Sequence, residues 1–375
     1  MDHTRVSSAK LYEYRIPFTR PFVTSGQTFR ERQGLIAVLQ SSEGETGLGE
    51  IAPLPGFNRE NLNDTRAVTE SLLPRLPDQP IPTSPAEISD WWQAIHSSPL
   101  PPSVEFGIEC AMIDLASQRA HLPAARWLNA RSGEAAVVNA VISGSDAEIA
   151  AAAKTKLAQG YRTFKLKIGS NTMAEDIRRI ELLRTTIGPA ATIRLDANGA
   201  FTFDDALALL PRVAQLRIEY VEEPLRDLNW NKLLMLKAAC PVPIALDESL
   251  SQFLDLPASS SPRGFDVAII KAPVIGGPTR CLDLVRRLRQ NGVDCVMTSA
   301  LDTAVGVSAA LHLAAAAQLG NTACGLDTLD LLAHPLADHA LVIDQGTIRL
   351  PASPGLAVVL TADSMSRLTR ISDAH

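Results

Sequence analysis

Five short stretches of this chain set charged side chains in an order that reads as one reaction centre: Lys165-Leu166-Lys167, Asp196-Ala197-Asn198, Glu222-Glu223-Pro224, Asp247-Glu248-Ser249 and Ile269-Ile270-Lys271. Strand side chains alternate faces, so Lys165 and Lys167 share one face while Phe164, Leu166 and Ile168 take the other. Two ammonium groups in one cavity call for carboxylates or an anionic ligand, because a buried unpaired charge is costly. Asp196, Glu222 and Asp247 each end an apolar run. Taken singly they are ordinary: a turn, a strand stop and a helix cap. Brought to one point they repel, and a hard divalent cation resolves the repulsion. Three oxygen ligands with water and substrate suit Mg²⁺, with Mn²⁺ as the alternative. The seven histidines and five cysteines follow no zinc-ligand spacing. Lys271 ends the next run and so faces the other two lysines across the metal. A base, a metal and a second cation around one cavity suit removal of a proton next to a carboxylate. The metal and Lys271 stabilise the enolate, and neighbouring positive charge holds down the pKa of the basic lysine. The partner this implies is a small-molecule carboxylate.

Such residues meet only if the elements carrying them repeat. From Lys167 to Asp196, Glu222, Asp247 and Lys271 the steps are 29, 26, 25 and 24 residues. One strand, one helix and two loops take about that length, which makes the pattern a βα repeat. Eight strand candidates (137–142, 163–168, 192–196, 218–222, 243–247, 267–271, 294–298 and 322–326) predict a closed parallel barrel with its chemistry at the C-terminal strand ends. Residues 1–100 differ. Strands are expected at 11–18, 35–40 and 47–52, and helices at 60–73 and 85–96 between proline-rich stretches, which makes a small α+β unit. The expected division is a capping unit at 1–100, a barrel at 101–339, and a segment at 340–375 returning to the cap through strand-like residues 340–350. Gly276-Gly277-Pro278-Thr279 lacks the GK[ST] ending of a phosphate loop and reads as a tight turn.

The 375 residues are 46% hydrophobic and 20% charged, enough to bury a large core. A net charge of −6, with basic residues scattered, argues against nucleic acid or an anionic membrane as partner. No apolar run is long enough to span a bilayer, and the first residues lack a signal-peptide pattern. Five widely spaced cysteines without a CxxC pair fit buried thiols in a reducing compartment, so a cytoplasmic protein is expected.

The ordered set KLK, LDAN, EEP, LDES and IIK resembles the enolase superfamily and, within it, the muconate-lactonizing subgroup, over essentially the whole chain. That resemblance implies a modified TIM barrel, (β/α)7β, with an α+β capping domain. The stretches GLGEIAPLPGF, PSVEFGIECAMIDL, TSALDTAVG and CGLDTL are similar to the o-succinylbenzoate synthases of menaquinone and phylloquinone biosynthesis. They imply a Mg²⁺-assisted syn dehydration of 2-succinyl-6-hydroxy-2,4-cyclohexadiene-1-carboxylate. The resemblance makes Lys167 the base, Lys271 the cation over the opposite ring face, Lys165 their support, and Asp196, Glu222 and Asp247 the metal ligands. It puts Asn198 and Glu248 behind them, Ser299, Ala300 and Leu301 in the substrate pocket, and Ser25 and Gly26 on a lid at residues 24–32. The same lysine pair serves an N-succinylamino-acid racemase, a dipeptide epimerase or a cycloisomerase. A non-catalytic barrel used for binding is the alternative from another class.

Overall fold

The computed structural model describes residues 4–24, 27–96, 98–252 and 264–375. A four-stranded antiparallel sheet opens the chain, built from β1 (Val6–Thr24), β2 (Gln27–Ser41) and β3 (Thr46–Ile51), with the C-terminal strand Leu368–Ala374 paired to the outer edge of β1. The expected lid at 24–32 is largely strand. Gln27 to Arg32 continue β2, and pairs such as Phe22 with Phe29 carry the β1–β2 ladder towards its tip. Ser25 and Gly26 lie outside the described residues.

Glycine spacing on β3 decides how the cap meets the barrel. Gly47 and Gly49 share one strand face, and a Cβ on Gly49 would stand 1.8 Å from the Gly107 carbonyl oxygen. One on Gly47 would stand 2.1 Å from the Ala111 carbonyl. The helix Pro102–Arg119 therefore lies flush on the sheet, buried on nearly every face. Asp114 on that helix accepts Leu48 N at 2.9 Å and Leu356 N at 2.8 Å, tying cap, helix and C-terminal region together.

The barrel sheet is parallel. After β4 (Ala135–Val137), its strands run in the order β5 (Ala140–Ile142), β6 (Thr163–Lys167), β7 (Thr192–Asp196), β8 (Ile218–Glu222), β9 (Ile244–Leu246), β10 (Val267–Lys271) and β11 (Asp294–Thr298). Reciprocal capping boxes start the helices after β5, β6 and β7, where Ser145 pairs with Glu148, Thr172 with Glu175 and Thr202 with Asp205.

Two expected strands differ from the reading. The first, 137–142, is broken at 138–139, because β4 turns aside to pair antiparallel with Thr347–Arg349. The eighth, 322–326, closes the barrel through single parallel bridges, Cys324 to Val138 and Gly325 to Thr298, rather than a full ladder. The segment 340–350 does not return to the cap. It forms a small hairpin on β4, and Leu368–Ala374 makes the contact with β1 instead. Among the described residues no helix is long and apolar enough to cross a membrane.

Candidate active site

Lys167 lies in register with Asp196, and Asp196 with Glu222, so the three side chains leave the sheet on the same face at the C-terminal ends of β6, β7 and β8. Asp247 follows β9, and Lys271 ends β10 in register with Thr298. With the closing segment counted, β6 and β10 are four strands apart in either direction. The two lysines therefore approach the barrel mouth from opposite sides. Beneath them Tyr220, Ala245, Val267, Ile269 and Val296 form an apolar floor, with the Arg194 guanidinium 4.9 Å from the Tyr220 ring centre.

Lys165 Nζ bridges two carboxylates, 2.6 Å from Glu222 and 3.1 Å from Asp196. Lys167 Nζ donates to Asn198 Oδ1 at 2.7 Å and to Asp196 at 3.3 Å. Asn198 Nδ2 in turn donates to Glu248 Oε1 at 3.1 Å. Lys271 is ion-paired with Asp247, and its ammonium lies 4.2 Å from the centre of the Phe57 ring. The structure thus joins Lys165, Lys167, Asp196, Glu222, Asn198 and Glu248 in one bonded network and sets the Lys271–Asp247 pair close enough to act on Glu222 through its charges. Ser299, Ala300 and Leu301 follow β11 at its rim. Ser299 Oγ is 2.8 Å from Thr328 Oγ1, while Ala300 and Leu301 are buried.

Electrostatics split the carboxylates. Burial drives Asp196 up, but Lys165 and Lys167 outweigh it and hold its carboxyl well below the usual range. Glu222 is pushed up to about 7 by burial and by Asp196 and Asp247, against the pull of Lys165. Asp247 and Glu248 are raised as well, burial being the main cause. Repulsion between lysines does not dominate around Lys165. Burial lowers its pKa, yet Asp196 and Glu222 more than reverse the effect, and it is held charged.

Among the described residues no three acidic, histidine or cysteine side chains already form a metal cage; Lys165 bridges Asp196 and Glu222, and Lys271 is paired with Asp247. The donors nevertheless fit a hard cation. All are carboxylate oxygens, and Glu222 Oε2 and Glu248 Oε2 are buried without a hydrogen-bond partner.

Sequence reasoning gave no role to three residues that the fold places here. Glu223 Oε2 accepts Asp247 N at 2.9 Å and Ser249 N at 3.3 Å and so fixes the turn after β9. The second Glu of the EEP stretch was the available signal. Phe57 ends the GLGEIAPLPGF stretch and lies against Lys271. Arg32 entered only as the last residue of the expected lid at 24–32, with no role of its own.

The enolase C-terminal-domain-like family matches residues 148–364, and the MenC N-terminal domain matches residues 6–115. An o-succinylbenzoate synthase of Pectobacterium atrosepticum is 30% identical over 327 residues, covering 86% of this chain and 90% of its own length. An N-succinyl-L-Arg/Lys racemase of Bacillus cereus is 25% identical, over 98% of this chain and 99% of its own. A substrate-liganded L-Ala-D/L-Glu epimerase of Bacillus subtilis superposes with a TM-score of 0.84 at 26% identity, covering 96% of this chain and 99% of that one.

Proposed function

The chain belongs to the enolase superfamily and carries a MenC-type N-terminal domain, and from that premise we propose that it is an o-succinylbenzoate synthase, dehydrating 2-succinyl-6-hydroxy-2,4-cyclohexadiene-1-carboxylate to 2-succinylbenzoate for menaquinone or phylloquinone. The match of residues 6–115 to the MenC N-terminal domain carries the choice, because the barrel lysines suit elimination and racemisation alike.

In this reading Lys167, as the free amine, takes the proton from the ring carbon bearing the carboxylate, and the electron pair of that bond moves into the carboxylate. Asp196, Glu222 and Asp247 would hold Mg²⁺, which supplies positive charge to the carboxylate as it gains electron density. Lys271 stabilises the same charge from across the ring. The pair then returns to form the last ring double bond as the neighbouring carbon–oxygen bond breaks. The Lys167 ammonium protonates the departing oxygen, and water leaves. One lysine handles both protons, so both groups leave from one face. Asn198, backed by Glu248, aims the Lys167 amine. Ser299, Ala300 and Leu301 contribute to the substrate pocket. The five cysteines are unpaired, which suits the cytoplasm.

Racemisation of N-succinylamino acids is the second reading. It is favoured by the opposed placement of Lys167 and Lys271 and by the near full-length racemase relative. Measuring kcat/KM for the diene beside α-proton exchange of N-succinylamino acids in D₂O separates the two. A synthase turns over the diene at least about a hundredfold more efficiently. The reverse ratio would make the racemase the principal activity.

A further inference from the structure

We infer that Arg32 is a positioning residue that locks together two walls of the barrel mouth, the cap segment 52–57 and the barrel segment 299–302. The inference rests on the reading that this mouth holds the substrate.

Arg32 sits on β2, opposite Ile16, and is 4% exposed. Its guanidinium donates to four main-chain carbonyls, three of them on other segments. Nη1 donates to Pro53 O at 2.9 Å and to Gln33 O at 3.4 Å, Nη2 donates to Ala52 O, and Nε donates to Leu301 O at 3.2 Å. Asp302 Oδ1, which accepts no hydrogen bond, lies 3.6 Å from Nη2, while its Oδ2 accepts Ala300 N at 2.8 Å. One side chain thus joins β2, the start of the 52–57 segment, and the turn after β11.

Both tethered segments lead to Lys271. The first ends in Phe57, whose ring packs on the Lys271 ammonium, and Asn58 Nδ2 anchors its far end to Pro273 O at 2.9 Å. The second follows Thr298, the register partner of Lys271. Glu50 reinforces the same junction by accepting Tyr14 OH, Thr303 Oγ1 at 2.7 Å and Gly306 N at 2.9 Å. Lys167, Asp196 and Glu222 stand on strands of the barrel itself and need no such help. The planar fork of arginine can serve three carbonyls from different segments at once. A lysine ammonium on a flexible stem cannot. Loss of Arg32 should therefore loosen the walls that hold the substrate and leave the proton-transferring groups in place.

The test is Arg32→Lys in the full chain, read by amide hydrogen exchange and by steady-state kinetics with the diene and Mg²⁺. Exchange is expected to rise in peptides covering both 50–58 and 298–306, with β6 to β8 unchanged. KM is expected to rise about tenfold with kcat within about threefold of wild type. A merely structural role would instead lower kcat with the folded fraction at constant KM, and that result overturns the inference. So does increased exchange in only one of the two segments. Where Arg32→Lys does not fold, Asp302→Asn gives the same comparison, since it removes the charge facing the guanidinium and keeps an acceptor for Ala300 N. Exchange rising at 50–58 as well as at 298–306 supports the lock, and a rise confined to 298–306 contradicts it. If wild-type protein leaves the diene untouched, the proposed function falls, and the exchange measurement still decides the role of Arg32.

Discussion

Asn198 is the side chain on which the direction of the Lys167 amine depends. Its oxygen accepts from Nζ and its nitrogen donates to Glu248, so the amide cannot rotate without losing one bond or the other. Its backbone, at φ 42°, is held in turn by donation to Asp196 Oδ1 at 3.2 Å. Asn198→Ala should lower kcat about tenfold with little change in KM, because the amine loses its aim and the pocket does not change. A steady-state assay in which kcat stays at the wild-type value would remove Asn198 from the account. The charged residues were legible together rather than singly: each has an ordinary reason to be where it is, but lysines and carboxylates recur at the ends of successive apolar strands. Glu223, Phe57 and Arg32 were not legible in the same way. What each does depends on atoms brought close by the fold, as when Arg32 reaches Leu301.

At the scale of elements, the period-2 alternation of glycine on β3 sets how closely the cap approaches the barrel. Gly49→Ala should destabilise the protein by about 3 kcal/mol, since the new methyl meets backbone rather than a movable side chain. An unchanged urea midpoint would show that the helix can shift away. A second contact sits at the Gly276-Gly277-Pro278-Thr279 turn, where the Glu109 carboxylate accepts Thr279 N at 2.7 Å and Thr279 Oγ1 at 2.8 Å, capping the helix Pro278–Gln290. A carboxylate side chain occupies this helix N-terminus and leaves no place there for a phosphate. Burial pushes Glu109 up to about 7 against those hydrogen bonds. Between the ordinary carboxylate range and that value the folded chain binds more protons than the unfolded one, so this group's contribution to stability falls as pH rises. Wild type should therefore lose up to about 3 kcal/mol from Glu109 between about pH 4.5 and 7. Glu109→Gln should show a shallower slope in urea midpoints over that range, and an equal slope would count against it.

Across the whole molecule, the repeat of 24 to 29 residues between chemical groups made the barrel readable, because one βα unit has a narrow range of lengths. The closing eighth segment and the return to the cap were harder to read. The first is held by single bridges that leave little trace in local pattern, and the second falls to Leu368–Ala374, an exposed edge strand with weak alternation. The small-residue match between β3 and the helix Pro102–Arg119 was present in the sequence, but its meaning needed the docked geometry. Cap and barrel meet at Glu50, Arg32, Asp114 and Glu109, each buried and hydrogen-bonded across the junction, Glu109 by accepting from Trp92 Nε1. The mouth of the barrel is therefore shaped by both.

Lys167 is proposed to dehydrate the diene, with Asp196, Glu222 and Asp247 as the residues that would hold a divalent cation at its carboxylate. This proposal is tested most directly by following diene absorbance with purified protein in Mg²⁺, in chelator, and with Lys167→Ala in Mg²⁺. Metal-dependent loss of the signal is expected, abolished by chelator and slowed at least about a thousandfold by the substitution. A folded, Mg²⁺-binding protein that leaves the diene untouched, or a Lys167→Ala variant as active as wild type, would contradict the proposal.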